Sequence, residues 1–149
     1  MSREGIPCWF FVVVLVRDES GRFLLVHEAK HGGGWYVPAG RVEAGETFGQ
    51  AAQRETMEES GVPIHLEGIL RIEHTPGPVA SRMRVIYVAK PADDTPPRTT
   101  PNEHTLGAAW YSLDDMRGLD LRANDFIPLV LQVARGVPVS PVGLIGEEI

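Results

Sequence analysis

Gly40-Arg41-Val42-Glu43-Ala44-Gly45-Glu46-Thr47-Phe48-Gly49-Gln50-Ala51-Ala52-Gln53-Arg54-Glu55-Thr56-Met57-Glu58-Glu59-Ser60-Gly61-Val62 is the stretch whose reading decides the fold. Its first seven residues form a loop whose two glycines let the backbone turn and approach a neighbour closely. The remainder predicts a helix of about fourteen residues. Thr47 is a good N-cap, Gln50 completes a capping box with it, and Gly61 followed by Pro63 supplies the stop. Phe48, Ala51, Ala52 and Thr56 recur at helical spacing and give the helix an apolar face.

On that helix Glu55 lies beside both Glu58 and Glu59, because residues three and four apart share a face. Like charges so placed repel, and the C-terminal half of a helix favours cations over acids. Three glutamates alone most often mark a solvated face. Here the preceding loop can bring a backbone carbonyl to them, and a hard divalent cation is the economical source of neutralisation. All the ligands on offer are oxygens, with neither Cys nor paired His nearby.

At this point the sequence resembles the Nudix hydrolase family. Its pattern is Gly, five residues, Glu, seven residues, Arg-Glu, an apolar residue, any residue, Glu-Glu, any residue, Gly and an apolar residue. Gly40, Glu46, Arg54, Glu55, Glu58, Glu59, Gly61 and Val62 stand at those spacings. A chance match of the fixed types has odds on the order of one in a hundred million per alignment. Thr56 is the one departure, a methyl-bearing residue where a larger apolar one is commoner. The resemblance implies an α/β/α sandwich with a mixed β-sheet and dependence on Mg²⁺, with Mn²⁺ as a substitute. It implies Glu55, Glu58 and Glu59 as metal ligands, with the carbonyl of Ala39 as a further oxygen. It also implies Glu55 as general base, Arg54 orienting that carboxylate, and Glu46 supporting the loop. Glu103, in a later loop seven residues before Trp110, is the reserve base; an ordinary exposed glutamate is the competing reading.

Working outward, Trp9 to Arg17 and Arg22 to His27 are apolar runs around the turn Asp18-Glu19-Ser20-Gly21, which predicts a hairpin of buried strands. Trp35-Tyr36-Val37 is a short strand after the Gly32-Gly33-Gly34 loop. Ile64 to Glu73 and Arg82 to Ala89 are expected to pair. Lys90 to Thr105 holds four prolines and no period, which predicts a long surface loop suited to substrate contacts. A strand is expected over Leu106 to Tyr111, a helical turn from Ser112 through Met116, and a helix from about Asn124 to Ala134. After Gly136 the tail is expected to be extended or mobile.

Composition sets bounds. With 149 residues, 43% of them hydrophobic, the chain suits one domain with a core over about 8–136. Acids outnumber bases 20 to 14, so no broad positive field invites long nucleic acid; a small anionic nucleotide remains open wherever carboxylates gather a metal. The single cysteine, Cys8, allows no intrachain disulfide, which suits a cytoplasmic protein. The longest apolar run, Trp9 to Val16, is far short of the roughly 20 residues that span a bilayer, so no membrane partner is expected. Monomer and homodimer are both compatible with the sequence.

For the substrate, Glu28-Ala29-Lys30, Trp35 to Gly40, Ala108 to Tyr111 and Leu121 to Asp125 are similar to the Nudix subgroup that hydrolyses 8-oxoguanine nucleoside diphosphates. That similarity implies conversion of 8-oxo-dGDP or 8-oxo-GDP to the monophosphate. Asn124 and Asp125 are the expected base contacts, their amide and carboxylate suited to a purine edge; helix capping is the competing role for Asn124. Arg22, Lys30 and Arg84 are candidate phosphate contacts. Trp35, Tyr36, Trp110 and Tyr111 can stack on a base or pack in the core. His27, His31, His65, His74 and His104 lack ligand spacing and read as surface or strand histidines. The alternatives are a pyrophosphatase of ADP-ribose, nucleotide sugars or dinucleoside polyphosphates, and a binding module without catalysis. Such a module usually shows degraded catalytic glutamates, which are intact here.

Overall fold

The computed structural model describes residues 3–30 and 32–149. Along the chain run β1 (Cys8–Val16), β2 (Phe23–Glu28), β3 (Trp35–Tyr36), β4 (Ala39–Arg41), α1 (Phe48–Ser60), β5 (Ile64–Thr75), β6 (Ser81–Pro91), β7 (Thr105–Tyr111), α2 (Leu113–Met116) and α3 (Ile127–Ala134), followed by a 3₁₀ turn at Val142–Leu144. A four-stranded sheet has the order β4-β1-β6-β5, and a three-stranded sheet the order β3-β2-β7. The larger sheet is mixed: β1 runs parallel to β6 and antiparallel to β4, and β5 runs antiparallel to β6. The smaller sheet is antiparallel.

The first two strands depart from the expected hairpin. A turn does form, with Asp18 N–H bonded to the Arg22 carbonyl at 2.9 Å and Arg17 bridged to Phe23. Beyond it the strands part into different sheets. The reason lies in β1 itself, whose Val12 to Val16 are apolar on both faces and buried on both. Such a strand belongs in the middle of a covered sheet. Val12, Val14 and Val16 pack with Ala51 and Ala52 of α1, whereas Val13 and Leu15 pack with Phe126, which precedes α3, and Val130 within it. This is the α/β/α sandwich. The smaller sheet feeds both layers, with Leu24 and Val26 in one and Phe23 and Leu25 in the other. Each fully buried Val or Leu contributes roughly 1.5–3 kcal/mol, so these two layers dominate what holds the sheets together. Burial of the first run is not continuous: Trp9 and Phe10 remain exposed, flanked by the Arg41 guanidinium 4.5 Å from the Trp9 ring and by the Phe48 ring edge.

Three further differences have local causes. Residues 39–41 pair with β1, so the glycine loop begins as a strand. The last helix starts at Ile127, not near Asn124, with Pro128 in its first turn. Proline lacks the N–H that a start at Asn124 would require of it. The tail is extended but anchored: Ser140 and Ile69 exchange backbone hydrogen bonds at 2.8 and 2.9 Å, and Val142 and Ile145 pack on the core. Among the described residues no helix is long and apolar enough to cross a membrane.

Candidate active site

The capping signals of α1 fix its register. Thr47 Oγ1 accepts from Gln50 N–H at 3.1 Å, and Gln50 Oε1 accepts from Thr47 N–H at 3.0 Å. At the other end Gly61 is left-handed (φ 76°), its N–H bonded to the Met57 carbonyl at 2.8 Å. Thr56 is fully buried, with its hydroxyl bonded to the Ala52 carbonyl at 2.8 Å, so the family's apolar position accommodates it without an unpaired polar group. The helix register then directs Glu55 and Glu59 at β4. Gly40 lies so close that a Cβ there would stand 2.1 Å from the Glu55 carboxyl carbon.

Arg54 organises the acids. Its Nε and Nη2 donate to the two oxygens of Glu46 at 2.7 and 2.9 Å, a bidentate fork. Nη2 also donates to the Arg41 carbonyl at 3.0 Å, and Nη1 to Glu55 Oε1 at 2.9 Å and Glu58 Oε2 at 3.2 Å. One guanidinium thus ties loop to helix. Its hydrogen bonds hold the Glu46 carboxyl below the usual carboxylate range. Burial raises the Glu55 carboxyl, Arg54 offsets part of that, and the charges of Glu58 and Glu43 add to it. Burial pushes Glu59 up to about 9; the Ala39 N–H, donating to Glu59 Oε1 at 3.0 Å, pulls it back in part, and the charges of Glu55 and Glu28 push it further.

As these side chains stand, Arg54 draws Glu55 and Glu58 toward itself, and no three His, Cys, Asp or Glu among the described residues form a ready metal cage. The donor chemistry nevertheless fits a hard cation: carboxylates crowd one helix face, and the most deeply buried of them has no cationic hydrogen-bond partner among the described residues. Holding one asks Glu58 to turn from Arg54. Ala39 lines the same cleft as Glu55 and Glu59, and its N–H rather than its carbonyl makes the contact seen with Glu59.

Glu55 and Glu59 line a cleft of about 670 Å³ with Glu28 and Glu43, whereas Glu58 is outside its lining. Lys30 and Arg84 line it too, whereas Arg22 does not. Arg22 is held by Asp18 at 2.9 Å in the β1–β2 turn and lines a separate cleft, which removes it from the phosphate contacts. Asp125 accepts from the Tyr36 hydroxyl at 2.9 and 3.1 Å and lies 3.6 Å from Arg84 Nη1. Burial, then the charge of Asp125, raises the Tyr36 hydroxyl to about 12, so it remains a donor. Asn124 is exposed and does not cap α3; its carbonyl accepts from Ile127 N–H at 3.1 Å. Glu103 points to solvent with its side chain 87% exposed, and the loop residue that lines the cleft is instead its neighbour His104, whose Nδ1 is 3.9 Å from Glu58 Oε2.

Several residues at the cleft carried no assignment in the sequence. Glu28, only 7% exposed, is paired with Arg122 at 3.0 Å, and the Arg122 guanidinium lies 4.7 Å from the Tyr36 ring centroid. Phe11 supplies apolar wall, with Arg82 4.2 Å from its ring centroid. Both Glu28 and Arg122 fall within stretches that carry the subgroup similarity, which was the available signal. Trp35 and Tyr111 meet edge to face, and Trp110 packs on the core, so these three are packing aromatics. His27 stacks on Trp35, while His65 and His74 are exposed on β5. His31 lies outside the described residues.

A family model described as the NUDIX domain matches residues 11–130. The chain belongs to the Nudix family, whose members generally use a divalent metal such as Mg²⁺. Within that family it is 36% identical to the 8-oxo-dGDP phosphatase NUDT18 of Homo sapiens over 124 residues, 81% of this chain and 37% of that protein. It is 33% identical to the NAD-capped RNA hydrolase NudC of Klebsiella pneumoniae over 110 residues, 74% of this chain and 40% of that protein. The chain therefore spans well under half the length of these relatives. A Nudix hydrolase from Nitrosomonas europaea shares the fold, with a TM-score of 0.75 at 22% identity over 95% of this chain and 97% of that one.

Proposed function

We propose that this protein is a Mg²⁺-dependent hydrolase that converts an 8-oxoguanine nucleoside diphosphate to its monophosphate. The observation that carries the reading is one cleft with two chemistries: it is lined by the α1 carboxylates of Glu55 and Glu59 and also by Phe11, Arg84 and Tyr36, the last two holding Asp125. The similarity to an 8-oxo-dGDP phosphatase supports the substrate.

Glu55, Glu58 and Glu59 would hold the cation, with the Ala39 backbone adjacent. When bound, Mg²⁺ supplies charge neutralisation to the phosphate oxygens and a more acidic water. Arg54 holds one oxygen of Glu55 and leaves the other free to take a proton from the attacking water. The raised proton affinity of Glu55 makes it a better base than an ordinary exposed carboxylate. Glu46, fixed to Arg54 through both oxygens, keeps that guanidinium in place. Water adds to the terminal phosphorus, the anhydride P–O bond breaks, and inorganic phosphate and the nucleoside monophosphate leave. Lys30 and Arg84 are cations on the cleft wall suited to the phosphates, and Asp125, bonded to the cleft residue Tyr36, is an acceptor suited to purine N–H groups.

Incubation of the protein with 8-oxo-dGDP and Mg²⁺ should release inorganic phosphate, and Glu59→Gln should not. Equal release by the two proteins would refute the site, and release of inorganic pyrophosphate and the nucleoside instead would refute the bond assigned.

A further inference from the structure

The last carbonyls of a helix have no further turn to bond them, and their partners are normally solvent or a capping residue. At the end of α1 the proline-rich segment between β6 and β7 meets them instead. Arg98 Nη2 donates to the Glu59 carbonyl at 3.0 Å and reaches the Glu58 carbonyl at 3.5 Å. Thr105 Oγ1 donates to the Glu59 carbonyl at 2.6 Å and itself accepts from Arg98 Nη2 at 2.6 Å. Asn102 Nδ2 donates to the Glu58 carbonyl at 3.0 Å. The Arg98 N–H bonds the Ser60 carbonyl at 2.8 Å.

Three side chains distant in sequence thus converge on the backbones of two consecutive residues, and those are two of the three glutamates assigned to the cation. Their support is itself braced: Asn102 Oδ1 accepts from the N–H groups of His104 and Thr105 at 2.8 and 3.0 Å, and Ala108 N–H bonds the Arg98 carbonyl at 2.8 Å. A cation at the helix C-terminus also complements its dipole.

We infer that Arg98, Asn102 and Thr105 form a clamp that positions Glu58 and Glu59 for cation binding, an inference that rests on those glutamates being ligands. A side chain leaves its backbone along a fixed Cα–Cβ direction, so holding these two carbonyls sets where the two carboxylates can converge. The outer partners of metal ligands commonly control affinity in this way. The same loop delivers His104 to the cleft, so the clamp couples loop placement to ligand placement.

The test is Mn²⁺ binding to the full chain, read as loss of the free-ion electron paramagnetic resonance signal, alongside thermal melting. Asn102→Ala and Arg98→Met should each weaken Mn²⁺ binding by about tenfold. Arg98→Lys should recover part of the loss, because an ammonium can still donate to one carbonyl. Val130→Ala, a core change on the far face of the mixed sheet, should lower the melting temperature and leave Mn²⁺ affinity unchanged. Lowered melting with unaltered affinity in Asn102→Ala and Arg98→Met would reduce the clamp to a helix cap and overturn the inference. If Arg98→Met does not fold, Asn102→Ala decides alone. Absence of binding by the unaltered protein would overturn the metal reading and the clamp with it, an outcome distinct from failure in the variants only.

Discussion

Replacing Gly40 by alanine tests the closest approach in the site. The added Cβ would lie 2.1 Å from the Glu55 carboxyl carbon and 2.3 and 2.5 Å from its oxygens, against about 3.4 Å for ordinary contact, so the carboxylate must retreat by about 1.3 Å. Gly40 is not among the positive-φ glycines, so the backbone does not itself resist alanine. The obstacle is the end of a flexible side chain, which moves at small cost to the fold. Moving it disturbs the 2.9 Å bond to Arg54 and shifts the carboxylate assigned to proton transfer. A misplacement of about 1 Å can cost about a hundredfold in rate. Gly40→Ala should therefore lower kcat by about a hundredfold while melting close to the unaltered protein. Gly21→Ala is the matched contrast: its φ of 85° strains any L side chain, and its turn lies outside the cleft. That change should cost about 1–2 kcal/mol of stability and leave turnover intact. Steady-state kinetics and calorimetry on both variants give the answer, and a Gly40→Ala enzyme within twofold of the original would refute the reasoning.

Glu58→Gln keeps side-chain size but removes a charge, and should lower turnover by more than about a hundredfold with little change in melting; normal kinetics would contradict its place in the site. EDTA should abolish activity and added Mg²⁺ restore it. Mg²⁺ at about 100 times its Kd should also add about 2.7 kcal/mol to unfolding, and an unshifted melt would count against a built cation site. Tyr36→Phe retains the ring edge against Phe126 but strips Asp125 of its hydroxyl donor. It should raise KM for the nucleotide about tenfold, consistent with loss of a charge-assisted bond, while kcat holds; a fall in kcat alone would remove Asp125 from recognition. Thr56→Val should change stability by no more than about 1 kcal/mol, since the lost hydroxyl bond is local and the methyl packing remains.

The helix was legible because its signals are local: Thr47, Gln50 and Gly61 act within a few residues of where they stand. The Glu55, Glu58 and Glu59 face follows from helical spacing, and the family pattern marks Arg54 and Glu46 without showing that the two form a fork with each other. What the sequence concealed depends on distance or on neighbours without period. The apolar run of β1 announces burial on two faces but not that β6, rather than β2, lies beside it. The bond from Tyr36 to Asp125 joins residues 89 apart, and no local feature of Tyr36 distinguishes it from the packing aromatics. Glu103 and His104 are adjacent in an irregular loop, where only the fold decides which side chain turns inward. Asn124 looked like a cap because its chemistry suits one, but Pro128 four residues on delays the helix.

The central claim is that this cleft hydrolyses an oxidised guanine diphosphate, and it is tested most directly by kcat/KM with Mg²⁺ for 8-oxo-dGDP, dGDP, ADP-ribose and a dinucleoside polyphosphate, with products identified. The account predicts the highest value for 8-oxo-dGDP with inorganic phosphate released. Preference for ADP-ribose, giving two monophosphate products, or for the dinucleoside polyphosphate, giving a mono- and a polyphosphate, with no inorganic phosphate released, would contradict it.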